Sequence, residues 1–283
     1  MPVPILTYHG INIHGNDYDN NDHFALRQDL ALIFQMGFRI VSLQTVVDQL
    51  LGQATGDQEL TWCVAIAFDD GAHFDFYDLD HPTCGWQRSL LNIMRDVGRQ
   101  YQQAPGALHA TSFVIASPEA RMQLDKTCLI GNNWWSDAWW FQAQASGQLA
   151  IENHSWDHNH VTLERVAQRQ QHKGNFMVID CYADADAQIR QASDYINRLV
   201  PGHKTSLFAY PYGDVNAYLS EEYLPRYQHQ HGIRAAFTTR PEPVTEASER
   251  WRLPRFVCGD AWRTGEELKA ILHDVQPRTG VLF

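Results

Sequence analysis

The 283-residue sequence is short of positive charge: 22 Lys and Arg against 33 Asp and Glu leave a formal net charge of -11. A protein that grips duplex nucleic acid needs a basic face for the phosphates, so no nucleic-acid partner is expected. Nowhere do about 18 apolar residues run together, which argues against a membrane-spanning helix. Residues 1–10 lack the cationic and apolar regions of an export signal. The chain as written is therefore expected in the cytosol, with a secreted parent that has lost its leader still open. The five cysteines, Cys63, Cys84, Cys128, Cys181 and Cys258, are odd in number and share no C-x-x-C spacing. Neither a disulfide framework nor a cysteine zinc site follows, and they read as buried free thiols. No Gly-x-Gly-x-x-Gly follows an apolar run, which removes the main support for a dinucleotide-binding sheet. Internal repeats, low-complexity tracts and Pro/Gly-rich linkers are also missing, so one domain over residues 1–283 is expected.

What is present is a normal globular apolar fraction, 44%, in short runs rich in β-branched and aromatic residues. Strands are predicted at 3–8, 39–43, 62–68, 110–116, 149–153, 205–210, 235–238 and 253–257. Most are apolar throughout rather than alternating, which suits parallel strands covered on both faces. Helical stripes lie between them: Phe24, Leu26, Leu30, Ile33 and Phe34; then Ile189, Ala192, Ile196, Leu199 and Val200; then Leu268, Ile271, Leu272 and Val275. Gly37 and Pro201-Gly202 are stop signals after the first two. Such repeated alternation predicts an α/β barrel or a doubly wound sheet. Three stretches without clear periodicity, 72–86, 117–136 and 160–184, are expected as long loops after strands, where barrel sites are built.

The chemistry-bearing residues follow the strands. The run 62–68 ends in Asp69-Asp70-Gly71, and two unpaired anions beside a core are costly unless a cation offsets them. The run 149–153 leads into His154-Ser155-Trp156-Asp157-His158. Two histidines four apart meet on one face if the segment is helical, and imidazole suits zinc, nickel or cobalt. With fourteen histidines in the chain, that spacing gains weight only from its place after a strand. The third feature is Tyr210-Pro211-Tyr212-Gly213, a sharp turn that can present backbone N–H groups to an anion.

Together and in this order, Asp69-Asp70-Gly71, His154-Ser155-x-x-His158 and Tyr210-Pro211-Tyr212-Gly213 resemble the signature of the polysaccharide deacetylases, the NodB-homology group or carbohydrate esterase family four. Residues 5–10, 37–43 and 253–256 are similar to further segments of its bacterial members. The resemblance implies a distorted (β/α) barrel of about seven parallel strands. It implies a divalent ion, zinc by expectation with nickel or cobalt as alternatives, held by Asp70, His154 and His158. It also implies Asp69 as general base and the backbone N–H of Tyr212 as an oxyanion donor. The arginine usually found two residues before the Pro-Tyr pair is Ala209 here, and Arg255 is the candidate for steadying the base. For the general acid two histidines stand open. His9, on the first strand, is placed as in the biofilm poly-N-acetylglucosamine deacetylases. His273 matches a late Leu-x-His motif but falls near the end of a predicted closing helix over 264–275, and His9 is preferred.

The implied activity is hydrolysis of an N-acetyl or other short acyl group from an amino-sugar glycan or glycoconjugate, an intracellular one if the chain stays in the cytosol. Alternatives are a hydrolase of small cyclic amides or ureides, allantoinase-like, and a non-catalytic carbohydrate-binding barrel. Trp134-Trp135, Trp139-Trp140, Trp86 and Trp156 read either as sugar-stacking platforms or as barrel cover. Asp75, Asp78 and Asp80 read as solvated surface in preference to an attraction for an amino sugar.

Overall fold

A computed structural model describes residues 2–54, 59–104 and 106–276; the outermost residues of the predicted domain, 1 and 277–283, lie outside this set. Ten strands occur in chain order among the described residues: β1 Ile5–His9, β2 Arg39–Val41, β3 Cys63–Asp69, β4 Leu79–His81, β5 Gly85–Gln87, β6 Ala110–Val114, β7 Leu149–Asn153, β8 Leu207–Ala209, β9 Ala235–Phe237 and β10 Phe256–Val257. Apart from the antiparallel β4–β5 hairpin, every pairing between these strands is parallel. The main sheet runs β10-β1-β3-β6-β7-β8-β9, with β2 branching from β3. These seven strands in line form the curled half-barrel expected from the sequence. A parallel bridge between Phe237 and Leu253 draws the segment before β10 against β9.

Strand parity divides the core. Ile5, Ala65, Ala67, Phe113, Leu207, Ala209 and Phe237 pack together inside the curl. Leu6, Tyr8, Val64, Ile66 and Phe68 face outward against the surrounding helices. Successive side chains on a strand point to opposite faces, so His9 and Asp69 continue the inner rows of β1 and β3. The register pairs the two directly.

The three predicted helical stripes fall on helix Asp22–Gln35, on helix Arg190–Leu199 with its caps Ile189 and Val200, and on helix Gly265–Asp274 with its cap Val275. Phe24 is nevertheless 38% exposed and does not join the buried stripe. The predicted loops are more ordered than expected. Residues 117–136 contain helix Pro118–Thr127, capped by the Ser117 side chain on Ala120 N–H, with Pro118 in the first turn. Its apolar stripe was hidden because Arg121 and Asp125, ordinarily surface residues, take part of the buried face. Residues 72–86 hold the 3-10 turn His73–Asp75, β4 and the beginning of β5. The stretch 160–184 holds the 3-10 turn Phe176–Val178 and the start of helix Tyr182–Gln188. Only Cys63 and Cys258 are buried; the other three cysteines are partly exposed, and all five are free.

Candidate active site

Asp69 ends β3 pointing into the curl and is nearly inaccessible to solvent. Arg255, fully buried on the segment leading into β10, donates to both carboxylate oxygens, Nη1 to Oδ1 at 2.7 Å and Nη2 to Oδ2 at 2.9 Å. Its Nε–H donates to the Thr238 carbonyl at 3.2 Å, and the guanidinium lies 5.3 Å from the centre of the Phe113 ring. Burial alone would raise the Asp69 carboxyl, but Arg255, with His154 nearby, outweighs it and holds the group well below the ordinary carboxylate range. A guanidinium therefore reaches the Asp69 position even though Ala209 replaces the expected arginine.

Asp70 and Gly71 turn the chain sharply at the strand end, with φ of 75° and 74°. Only glycine fits the second position, because a Cβ there would stand 2.5 Å from Val114 Cγ1. At the end of β7 the His154 Nδ1–H donates to the Ala209 carbonyl at 2.8 Å. Since a carbonyl only accepts, Nδ1 carries a proton, and in the neutral ring Nε2 is the nitrogen whose lone pair is free to ligate. His158 arrives through a left-handed loop rather than the helix considered from its spacing. Ser155 and His158 have φ of 70° and 61°. Asn153 Oδ1 accepts the Ser155 N–H at 2.7 Å, and Ser155 Oγ accepts the His158 N–H at 2.8 Å.

Asp70 Oδ1 is 3.7 Å from His154 Nε2 and 3.8 Å from His158 Nε2. One ligand atom from each of the three residues lies within 4.8 Å of the others. These separations are too long for hydrogen bonds, so buried donor atoms face one another across a gap that none of them fills. Burial and the neighbouring His154 drive the His158 imidazole well below its ordinary range, toward the neutral form that ligates. The donor set, two imidazoles and a carboxylate, suits zinc and related divalent ions and fits the space between them.

A cavity of about 340 Å³ opens over this centre, and His9, Asp69, Asp70, His154, His158 and Tyr212 all line it. Tyr212 sits in the tight turn Pro211–Gly213 with φ of 60°. Its ring meets His158 edge-on at 4.5 Å, and burial chiefly pushes its hydroxyl up to about 12. His273 lies elsewhere, exposed near the end of helix Gly265–Asp274 with Gln276 as its partner. The structure thus brings together seven of the sequence-derived residues and leaves His273 out.

For the surroundings one open choice is decided and one expectation is corrected. Trp139 and Trp140 are wholly buried core, and of the six tryptophans considered only Trp135 lines the cavity; Trp86, 66% exposed, projects from β5. Asp75 is not solvated: the turn His73–Asp75 tucks it under β6, where it accepts from Ser112 Oγ at 2.7 Å, and burial pushes it well above its ordinary range. Asp78 accepts the Ser89 N–H and pairs with Arg88. His160 and Cys128 also line the cavity.

The polysaccharide deacetylase family model matches residues 58–236. The chain belongs to this family. Among solved structures it is similar to IcaB from Ammonifex degensii at 19% identity, covering 98% of this chain and 97% of that one, with a TM-score of 0.60. The Streptococcus pyogenes deacetylase PplD in complex with acetate matches at 16% identity over 96% and 98% of the two chains, TM-score 0.62. A de-N-acetylase from Aggregatibacter actinomycetemcomitans matches at 15% over 96% and 100%, TM-score 0.61. At such identities these neighbours bear on the family fold. No curated protein sequence matches the chain. No helix among the described residues is long and apolar enough to cross a membrane.

Proposed function

We propose that this chain is a divalent-metal-dependent hydrolase, most simply a zinc enzyme, that removes an N-acetyl or other short acyl group from an amino-sugar glycan. One observation carries it: ligand atoms of Asp70, His154 and His158 lie within 4.8 Å of one another, beside a carboxylate, Asp69, that is tied to a different partner. Asp70, His154 and His158 would hold the ion. When bound, such an ion supplies Lewis acidity toward a carbonyl oxygen and lowers the pKa of water from about 15.7 toward 7.

The chain's own residues supply the rest. Asp69, oriented by Arg255 and kept ionised, accepts the proton of the attacking water. Its low proton affinity limits it as a base, so its contribution rests on being held rigidly where the water stands. The Tyr212 N–H, at the tip of a tight turn on the cavity wall, donates to the developing oxyanion, a contribution of about 3 kcal/mol for a well-aimed donor. His9, beside Asp69 in the register and on the same cavity, delivers the proton that the departing amine requires.

The test is acetate release from N-acetylglucosamine oligosaccharides by the purified chain with and without Zn²⁺. Turnover that survives thorough chelation undiminished overturns the proposal.

A further inference from the structure

Asp70 takes a positive φ of 75°, a conformation less favourable for a residue with a Cβ than for glycine, and contacts on its backbone help to hold it there. Its carbonyl oxygen, just beyond the end of β3, accepts two hydrogen bonds. One comes from the Ile115 backbone N–H at 3.3 Å. The other comes from the indole Nε1–H of Trp135 at 3.0 Å, a residue 65 positions away and 4% exposed. Rotation about the Asp70 N–Cα bond swings this carbonyl and the Asp70 side chain together, so donors fixed on the carbonyl restrain the torsion that sets where the carboxylate points.

Trp135 is itself firmly anchored. Both oxygens of the buried Asp125 carboxylate accept backbone N–H groups just before it, from Asn133 and Trp134, each at 2.8 Å. The His73 N–H, three residues beyond Asp70, donates to the Trp134 carbonyl at 2.8 Å. On the other side Arg121, buried under the same loop, pairs with Asp137 at 2.6 Å. The turn after β3 and the loop before helix Trp140–Ala145 are thus stitched together, with the indole N–H reaching the Asp70 backbone.

We propose that Trp135 is a positioning residue for the ligand Asp70, its indole N–H holding the Asp70 carbonyl and, through it, the left-handed φ that aims the carboxylate at His154 and His158. This rests on the metal-centre reading above. It adds a partner outside the motifs that suggested that centre. The Ile115 bond survives loss of the indole N–H, so the expected effect is weakened metal binding rather than its abolition.

Two variants of the full chain test it: Trp135→Phe, and Trp135→β-(3-benzothienyl)alanine, which keeps the bicyclic ring and deletes only the N–H. Zn²⁺ affinity is measured by competition with a chromophoric chelator, and the ligand-field bands of bound Co²⁺ are recorded. Both variants are expected to fold and to bind Zn²⁺ about tenfold more weakly, in line with loss of an outer partner of a metal ligand, with displaced Co²⁺ bands. A folded benzothienyl variant with wild-type Zn²⁺ affinity and unchanged bands overturns the proposal while leaving the metal centre standing. Failure of that variant to fold also overturns it, since the N–H would then be a stability contact. Wild-type chain that binds neither ion removes the metal-centre reading and this inference with it.

Discussion

Arg255 and Asp69, 186 positions apart in the chain, form a two-pronged ion pair with both side chains almost fully buried. Breaking such a pair by removing one partner strands a charge in the core, which costs about 3–5 kcal/mol. Arg255→Met is therefore expected to lower unfolding stability by that order, read from denaturant titrations, and to cut acetate release sharply. Arg255→Lys keeps the charge but loses the fork, so it should recover part of the stability and little of the rate. Wild-type stability and turnover in Arg255→Met would show that the pair neither holds Asp69 nor matters to the barrel.

Removal of a proposed ligand should empty the metal centre without unfolding the chain. Asp70→Asn and His154→Ala are expected to retain less than about a tenth of the wild-type zinc after dialysis, by elemental analysis, because each deletes one of three protein donors. Asp69→Asn should keep its zinc while losing acetate release, which separates the two adjacent carboxylates by role.

The two candidate acids separate in one experiment. His9→Asn is expected to reduce kcat about a hundredfold or more, with zinc content unchanged. His273→Asn should leave kcat at the wild-type value, because that side chain is exposed on the closing helix and outside the cavity. The reverse pattern would return His273 to the mechanism.

Glu152 predicts a pH dependence of stability. It lies on β7 inside the fold, accepts the N–H groups of Ser206 and Leu207 at 2.8 and 2.9 Å, and is pushed up to about 8 by burial. Between its ordinary value near 4.3 and about 8 the folded chain holds this proton and the unfolded chain does not. Stability should therefore fall as pH rises across that window. Glu152→Gln, uncharged throughout, should flatten that limb in urea titrations at pH 5 and 8. An unchanged slope would mean that the carboxyl is ionised in the fold.

Much of this architecture was legible in one dimension. The apolar, unalternating runs marked the parallel strands because both faces of such strands are covered, and that leaves no polar residue to break the run. Asp69, Asp70, His154 and Tyr212 stood out because chemistry-bearing residues cluster at strand ends, and strand ends can be read from where apolar runs stop. Helix Pro118–Thr127 escaped because Arg121 and Asp125 turn inward to hold the loop that follows, so its pattern of polarity misreports its buried face.

Strand composition and residue order alone determined the class of fold and the family signature, and singled out the candidate donors. Tertiary structure alone decided their aim. His158 reaches Asp70 through left-handed turns at Ser155 and His158, not through helical spacing. His9 rather than His273 shares the cavity because strand register, not sequence motif, sets it beside Asp69. Trp135 and Arg255 meet the two aspartates from 65 and 186 positions away. Contacts between such distant residues depend on how the strands curl and which face each side chain takes, and local sequence patterns carry no record of that.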